Sequence, residues 1–183
     1  MKKRLKTMVV IMVVSVFGIS ESLRAAISNS VIEDDIEYYI EVDKSVYNLG
    51  EDVEFLYRIT NLSDEERRFI GSFPLFDVLA EEKDGEDFNE IWNLTWGQAG
   101  PMGPMVYGLG SHESIEINAL WPQINLHGSV EIEDHTQVLA GSYRLSGICY
   151  PTDVSIPVDI DIVPEPGSLS LLLAGSIALL KKC

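Results

Sequence analysis

The strictest constraint on the fold is a period-two alternation that recurs along the middle of the chain. In residues 154–162, Val154, Ile156, Val158, Ile160 and Ile162 fall on one side and Ser155, Asp159 and Asp161 on the other. In residues 52–60, Val53, Phe55, Tyr57 and Ile59 alternate with Asp52, Glu54 and Arg58. Successive side chains of a strand point to opposite faces, so each segment reads as a strand with one buried and one wet face. Residues 36–42, 67–73, 75–80, 91–96, 114–120 and 141–150 carry looser versions of the pattern, and 129–133 reads as a short edge segment. Asn61-Leu62-Ser63-Asp64 is a turn, Pro74 separates two strands, and Lys83-Asp84-Gly85-Glu86 predicts a hairpin with Asp-Gly at its centre. Residues 98–110, rich in glycine and proline, read as loop. No sustained helical stripe runs through 27–163. About seven to nine short strands with regularly spaced turns predict an all-β fold, an antiparallel β-sandwich of immunoglobulin-like type.

Charge narrows the partners. Residues 27–163 hold six basic and twenty-seven acidic side chains, a net charge of −21. Such a surface repels phosphate backbones, which excludes nucleic acid, and attracts cations or basic partners. Colloidal solubility accounts for the same excess without any partner.

The two ends have a different composition. Lys2, Lys3, Arg4 and Lys6 precede an apolar run over 8–19, and small residues follow at Gly18, Ser20, Ala25 and Ala26. This is the layout of a secretory signal peptide over residues 1–26, an uncleaved anchor helix being the alternative. At the other end, Val163, Pro164, Glu165 and Pro166 lead into an uncharged stretch over 169–180, closed by Lys181, Lys182 and Cys183. Two prolines one residue apart cannot continue a strand or a helix interior. The leucine- and alanine-rich stretch favours a short helix, and the lysines suit a cytoplasmic flank. Such a helix rises about 18 Å against a hydrocarbon core of about 30 Å, so it spans only with snorkelling lysines and a thinned bilayer. A C-terminal helix buried in the domain is the alternative. The expected organisation is a signal peptide (1–26), an acidic β-sandwich (27–162) and a sorting tail (163–183).

The tail resembles the PEP-CTERM sorting signal of exported bacterial proteins, through Val163-Pro164-Glu165-Pro166, Leu171-Leu172, Gly175, Leu179-Leu180 and the closing Lys181 and Lys182. Family tails usually end in arginines. The resemblance implies processing by an exosortase-type membrane transpeptidase, after signal peptidase has acted at the other end. It also implies a location at the cell surface or in the extracellular matrix, with transient anchoring in the membrane through the tail.

Phe76-Asp77-Val78, the hairpin at Gly85, Ile91-Trp92 and Trp96, Gly110-Ser111-His112-Glu113-Ser114, Trp121 and Gly141-Ser142-Tyr143 follow one another in the middle of the chain. In this order they resemble the BsuPI-type intracellular proteinase inhibitor domain, over about 47–150. The resemblance implies a binding or inhibitory module without catalysis. Trp92, Trp96 and Trp121 read either as packing residues or as parts of a contact surface. The candidate contact loop comprises Trp96, Pro101, Met102, Pro104, Met105 and Tyr107. A proline-studded loop with apolar side chains enters a protease cleft with little ordering cost; covering one end of the sandwich is its alternative role.

No catalytic constellation is legible. His112, His127 and His135 are the only histidines, and Gly-x-Ser-x-Gly, His-Glu-x-x-His and paired zinc cysteines are missing from the sequence. The runs Asp84, Glu86, Asp87 and Glu131, Glu133, Asp134 lack the spacing of an EF-hand and read as solvated charge. No cofactor or metal is expected. Cys149 lies in an apolar alternation and reads as a buried structural thiol. The sequence therefore predicts a non-catalytic exported binding module whose partner is an extracellular polymer, or a protease if the loop is inhibitory.

Overall fold

The structure is a computed structural model and describes residues 25–95, 97–101, 103–126 and 136–165. The expected signal helix, the C-terminal helix and the segment 129–133 lie outside the described residues. Among those described, thirteen strands form: β1 (Ile27–Glu33), β2 (Ile36–Val42), β3 (Val46–Asn48), β4 (Val53–Asn61), β5 (Arg67–Gly71), β6 (Phe76–Asp84), β7 (Asp87–Asn93), β8 (Met105–Leu109), β9 (Ser114–Trp121), β10 (Ile124–Asn125), β11 (Thr136–Gln137), β12 (Gly141–Cys149) and β13 (Val154–Val163). The fold is all-β.

Two large sheets face each other. One has the order β1-β2-β4-β9 and is antiparallel throughout; the other has the order β3-β13-β12-β6-β7, with only the β3–β13 pair parallel. Two ribbons, β5-β8 and β10-β11, sit apart from them. The alternation read in the sequence is the burial pattern: Val53, Phe55, Tyr57 and Ile59 of β4 are buried, as are Val154, Ile156, Val158, Ile160 and Ile162 of β13. Across the core, Phe55 meets Trp92 edge-on at 6.3 Å between ring centroids, and Trp121 meets Tyr143 at 5.5 Å. Each aromatic or aliphatic side chain buried here contributes about 1.5–3 kcal/mol. Trp92 and Trp121 are thus packing residues; Trp96 lies outside the described residues. Cys149 is buried, and burial pushes its thiol pKa up.

Several boundaries differ from expectation. The strand count exceeds seven to nine because β1, β3, β10 and β11 are short or lack alternation. β8 occupies part of the segment read as loop. Its inward Tyr107 and Leu109 do alternate with Val106 and Gly108, but the glycines and prolines around them mask the pattern. The hairpin pairs Asp84 with Asp87, so its two turn residues are Gly85 and Glu86, not Asp84 and Gly85. Gly85 adopts a φ of 66°, the left-handed region that glycine enters without steric cost.

One buried amide ties the β5–β8 ribbon to the sheets. Asn61 is fully buried at the end of β4. The two hydrogens of its Nδ2 are shared among Leu109 O (3.1 Å), Gly110 O (2.9 Å) and Glu65 O (2.6 Å), while its Oδ1 accepts from Ser63 N (3.0 Å) and Ser63 Oγ (2.7 Å). This satisfies a group that burial would otherwise penalise.

Candidate contact surface

The loop between β7 and β8 is pinned near its start and at its middle. Asp77 is buried, and its carboxylate accepts from Val78 N (2.8 Å), Thr95 Oγ1 (2.6 Å) and Thr95 N (3.3 Å). Burial pushes the Asp77 carboxyl pKa up, and these hydrogen bonds oppose that shift without cancelling it. Leu94 N donates to Val78 O (3.0 Å) and Gln98 N to Thr95 O (2.9 Å), so the chain turns as it leaves the sheet. Further on, Gly100 lies against the Phe73 ring so closely that any Cβ there would overlap it. Phe73 itself precedes Pro74 through a cis peptide.

Between and beyond these anchors the loop faces solvent. Gln98, Ala99, Pro101 and Pro104 are exposed, whereas Met105 and Tyr107 are half-buried. The Tyr107 ring sits edge-on to Phe76 at 5.8 Å, and Phe76 sits edge-on to Phe69 at 5.3 Å. Tyr107 therefore roots the ribbon in the core and does not project from it. Trp96 and Met102 lie outside the described residues. Of the expected loop residues, the structure brings Pro101 and Pro104 to the surface and Met105 and Tyr107 to the base.

Two apolar residues not expected at this surface stand beside the loop. Ile70 of β5 and Val106 of β8 are directly paired, and are 62% and 63% exposed. Alternation along β8 was the available signal for Val106, because Tyr107 and Leu109 point inward. This exposed apolar pair, with Pro101 and Pro104 exposed in the adjoining loop, stands out on an otherwise acidic molecule, and exposed apolar surface is the kind of feature that marks interaction sites.

The charged surface is dominated by carboxylates. Lys44 pairs with Glu51, Arg58 with Glu37 and Glu116, Arg67 with Asp35, Arg68 with Glu66, and Arg144 with Asp159. Lys83 instead stands over the Phe88 ring at 6.0 Å. With six cations against twenty-seven acids over 27–163, most acids have no cation to neutralise them. Among the described residues, no group of three His, Cys, Asp or Glu side chains converges to hold a metal ion.

At the end of the domain, β13 stops at Val163, next to Pro164. Val163 O accepts from Leu49 N (2.8 Å), and Pro164 and Glu165 are exposed. Pro166, Gly175, Lys181 and Lys182 lie outside the described residues.

The sequence matches no family model and no curated protein. Solved structures similar to it include a β-glucosidase from Listeria innocua in complex with gluconolactone, at 11% identity and a TM-score of 0.41, covering 75% of this chain and 16% of that one. The Pseudomonas fluorescens alkylpurine DNA glycosylase AlkC bound to DNA matches at 10% identity and a TM-score of 0.41, over 66% of this chain and 28% of that one. The C-terminal domain of wzt matches at 11% identity and a TM-score of 0.38, over 75% of this chain and 79% of that one. The chain thus spans about a sixth of the length of the glucosidases it resembles, 16%.

Proposed function

We propose that this is an exported, non-catalytic protein of the cell surface or extracellular matrix, an immunoglobulin-like binding module delivered by a PEP-CTERM sorting tail. The observation that carries the reading is the junction at Val163, where β13 ends and the next two residues, Pro164 and Glu165, are exposed. A processing enzyme at the membrane needs such an accessible stretch between a folded domain and its anchor. The two facing sheets support the immunoglobulin-like assignment, and the acidic surface suits a soluble module displayed outside the cell. The test is Glu165→Ala in a host that encodes an exosortase, following the mature mass and the cell fraction. Accumulation of an unprocessed, membrane-held form is expected; unchanged processing and location would overturn the sorting role.

One observation favours proteinase inhibition as a second reading, in line with the BsuPI-type resemblance. The loop bearing Pro101 and Pro104 is exposed, yet held by Asp77 and Phe73, and pre-ordering lowers the cost of entering a cleft. Titration of the full chain against representative serine, cysteine, aspartic and metalloproteases separates the two readings. Stoichiometric loss of one activity, relieved by Pro101→Asp together with Pro104→Asp, supports inhibition; activity unchanged across every class leaves the matrix role.

A further inference from the structure

The sandwich is open along one side, between β1 and β13. β1 is the edge of its sheet, and all its residues but Ile27 are exposed. Its register with β2 turns the side chains of Asn29, Val31 and Glu33 toward the opposite sheet, on the same face as buried Ile40, Tyr38 and Ile36. They are only partly covered there: Val31 is 41% exposed, and Asn29 reaches across to bond Pro157 O. Opposite lies β13, whose outer edge is paired with β3 only at Asp161, Ile162 and Val163. A cleft of about 450 Å³ runs between the two edges, lined by Asn29, Val31 and Glu33 on one side and by Asp153, Ser155 and Pro157 on the other.

The backbone shows which edge can accept a strand. Asp34 and Asp35 have φ values of 49° and 61°, the paired left-handed conformation of a two-residue type I′ hairpin turn. The flanking pair Glu33–Ile36 is then hydrogen-bonded, so Ser28, Ser30 and Ile32 direct their N–H and C=O groups away from β2, to the open side. On β13, Asp161 N donates to Ser45 O (2.9 Å) on the outer side, so Pro157 faces that side too. Pro157 has no N–H to offer, and its carbonyl already accepts from Asn29 Nδ2 at 2.9 Å. β13 is thereby blunted as an edge, whereas β1 carries neither proline nor lysine.

Charge selects the occupant. Glu33 and Asp153 line one end of the cleft, with Asp34 beside them, and no lining residue is basic. We propose that the cleft binds an extended, basic peptide segment of a partner protein, which adds as a strand to the open edge of β1 and sets a lysine or arginine against Glu33 and Asp153. A second copy of this chain would bring the same acidic turn and the same net charge of −21 over residues 27–163. The site is separate from the loop at Pro101 and Pro104 and depends on neither reading of the function.

The test uses the full chain and a short blocked peptide of alternating valine and lysine, with a copy N-methylated at alternate residues so that charge is kept but one hydrogen-bonding edge is lost. Binding at moderate salt is expected to weaken at least tenfold on N-methylation, and as much in Ser30→Pro, which removes an outward N–H and leaves the β1–β2 ladder intact. Glu33→Lys with Asp153→Lys is expected to weaken binding at least fivefold, whereas Glu86→Lys with Asp87→Lys, an equal change of charge at the far hairpin, changes it less than twofold. Equal binding of the N-methylated peptide, or equal loss in both charge-reversed variants, would reduce the site to diffuse attraction and overturn the proposal. Dimerisation of the full chain that Ser30→Pro abolishes would overturn it too, with a second copy as the occupant. The N-methylated comparison is made on the unaltered chain and stands even if Ser30→Pro misfolds.

Discussion

The ring of Tyr57 fills the space a side chain at position 147 would need: a Cβ on Gly147 would stand 2.5 Å from Tyr57 Cδ2 and 2.6 Å from Cε2. β4 and β12 belong to different sheets, so this contact sets how closely the sheets approach. Gly147→Ala must push the ring or separate the layers. A loss of about 1–3 kcal/mol is expected from overpacking, measured by chemical denaturation; an unchanged midpoint would show that the ring has room to move.

The same tyrosine carries a buried hydroxyl without a hydrogen-bond partner among the described residues. Tyr57→Phe keeps the ring against Gly147 and removes that group. Stability should hold or rise, by up to about 1 kcal/mol, and a clear loss would reveal a partner for the hydroxyl, such as an ordered water.

Asn61 offers the opposite case. Its amide nitrogen faces three carbonyl oxygens, those of Glu65, Leu109 and Gly110. Asn61→Asp turns a donor into an acceptor against all three, and about 3 kcal/mol or more should be lost. Hydrogen exchange should locate the damage at the β5–β8 ribbon before the main sheets open.

Asp77 links pH to the loop. Burial raises its folded pKa above the ordinary carboxyl value of 3.8. Its contribution is therefore fully present below the unfolded pKa and is lost as pH rises through the folded one. Compared across that window, the wild type should fall in stability relative to Asp77→Asn as pH increases. A constant difference between the two would show that the hydrogen bonds from Thr95 and Val78 fully offset burial.

At the alkaline end, burial pushes the Tyr38 and Tyr143 phenols up to about 12. Both are raised above the usual value of 10.0, so the stability they contribute persists below pH 10 and is lost as pH climbs toward 12. Unfolding should steepen over that interval, and Tyr38→Phe should flatten it at the cost of the hydrogen bond to Thr152. Identical alkaline limbs for the two proteins would exclude Tyr38 as a contributor.

The period-two spacing in β4 and β13 was enough to determine an all-β fold for the described residues and to name much of its core, because the face a strand side chain takes is set by its position alone. Val53, Phe55, Tyr57, Ile59 and the apolar residues of β13 are buried as that spacing requires. The acid excess and the breaker at Pro164 were equally local and equally legible. Tertiary structure decided what depends on partners distant in sequence. Tyr107 turns inward because Phe76 waits beneath it, leaving Val106 and Ile70 outside. β1 could not be read at all: its residues lack alternation because neither face is fully buried, and its open edge exists only because β13 passes opposite without pairing. Burial patterns write themselves into composition, whereas an unfilled place beside a strand leaves no mark until the sheets are assembled.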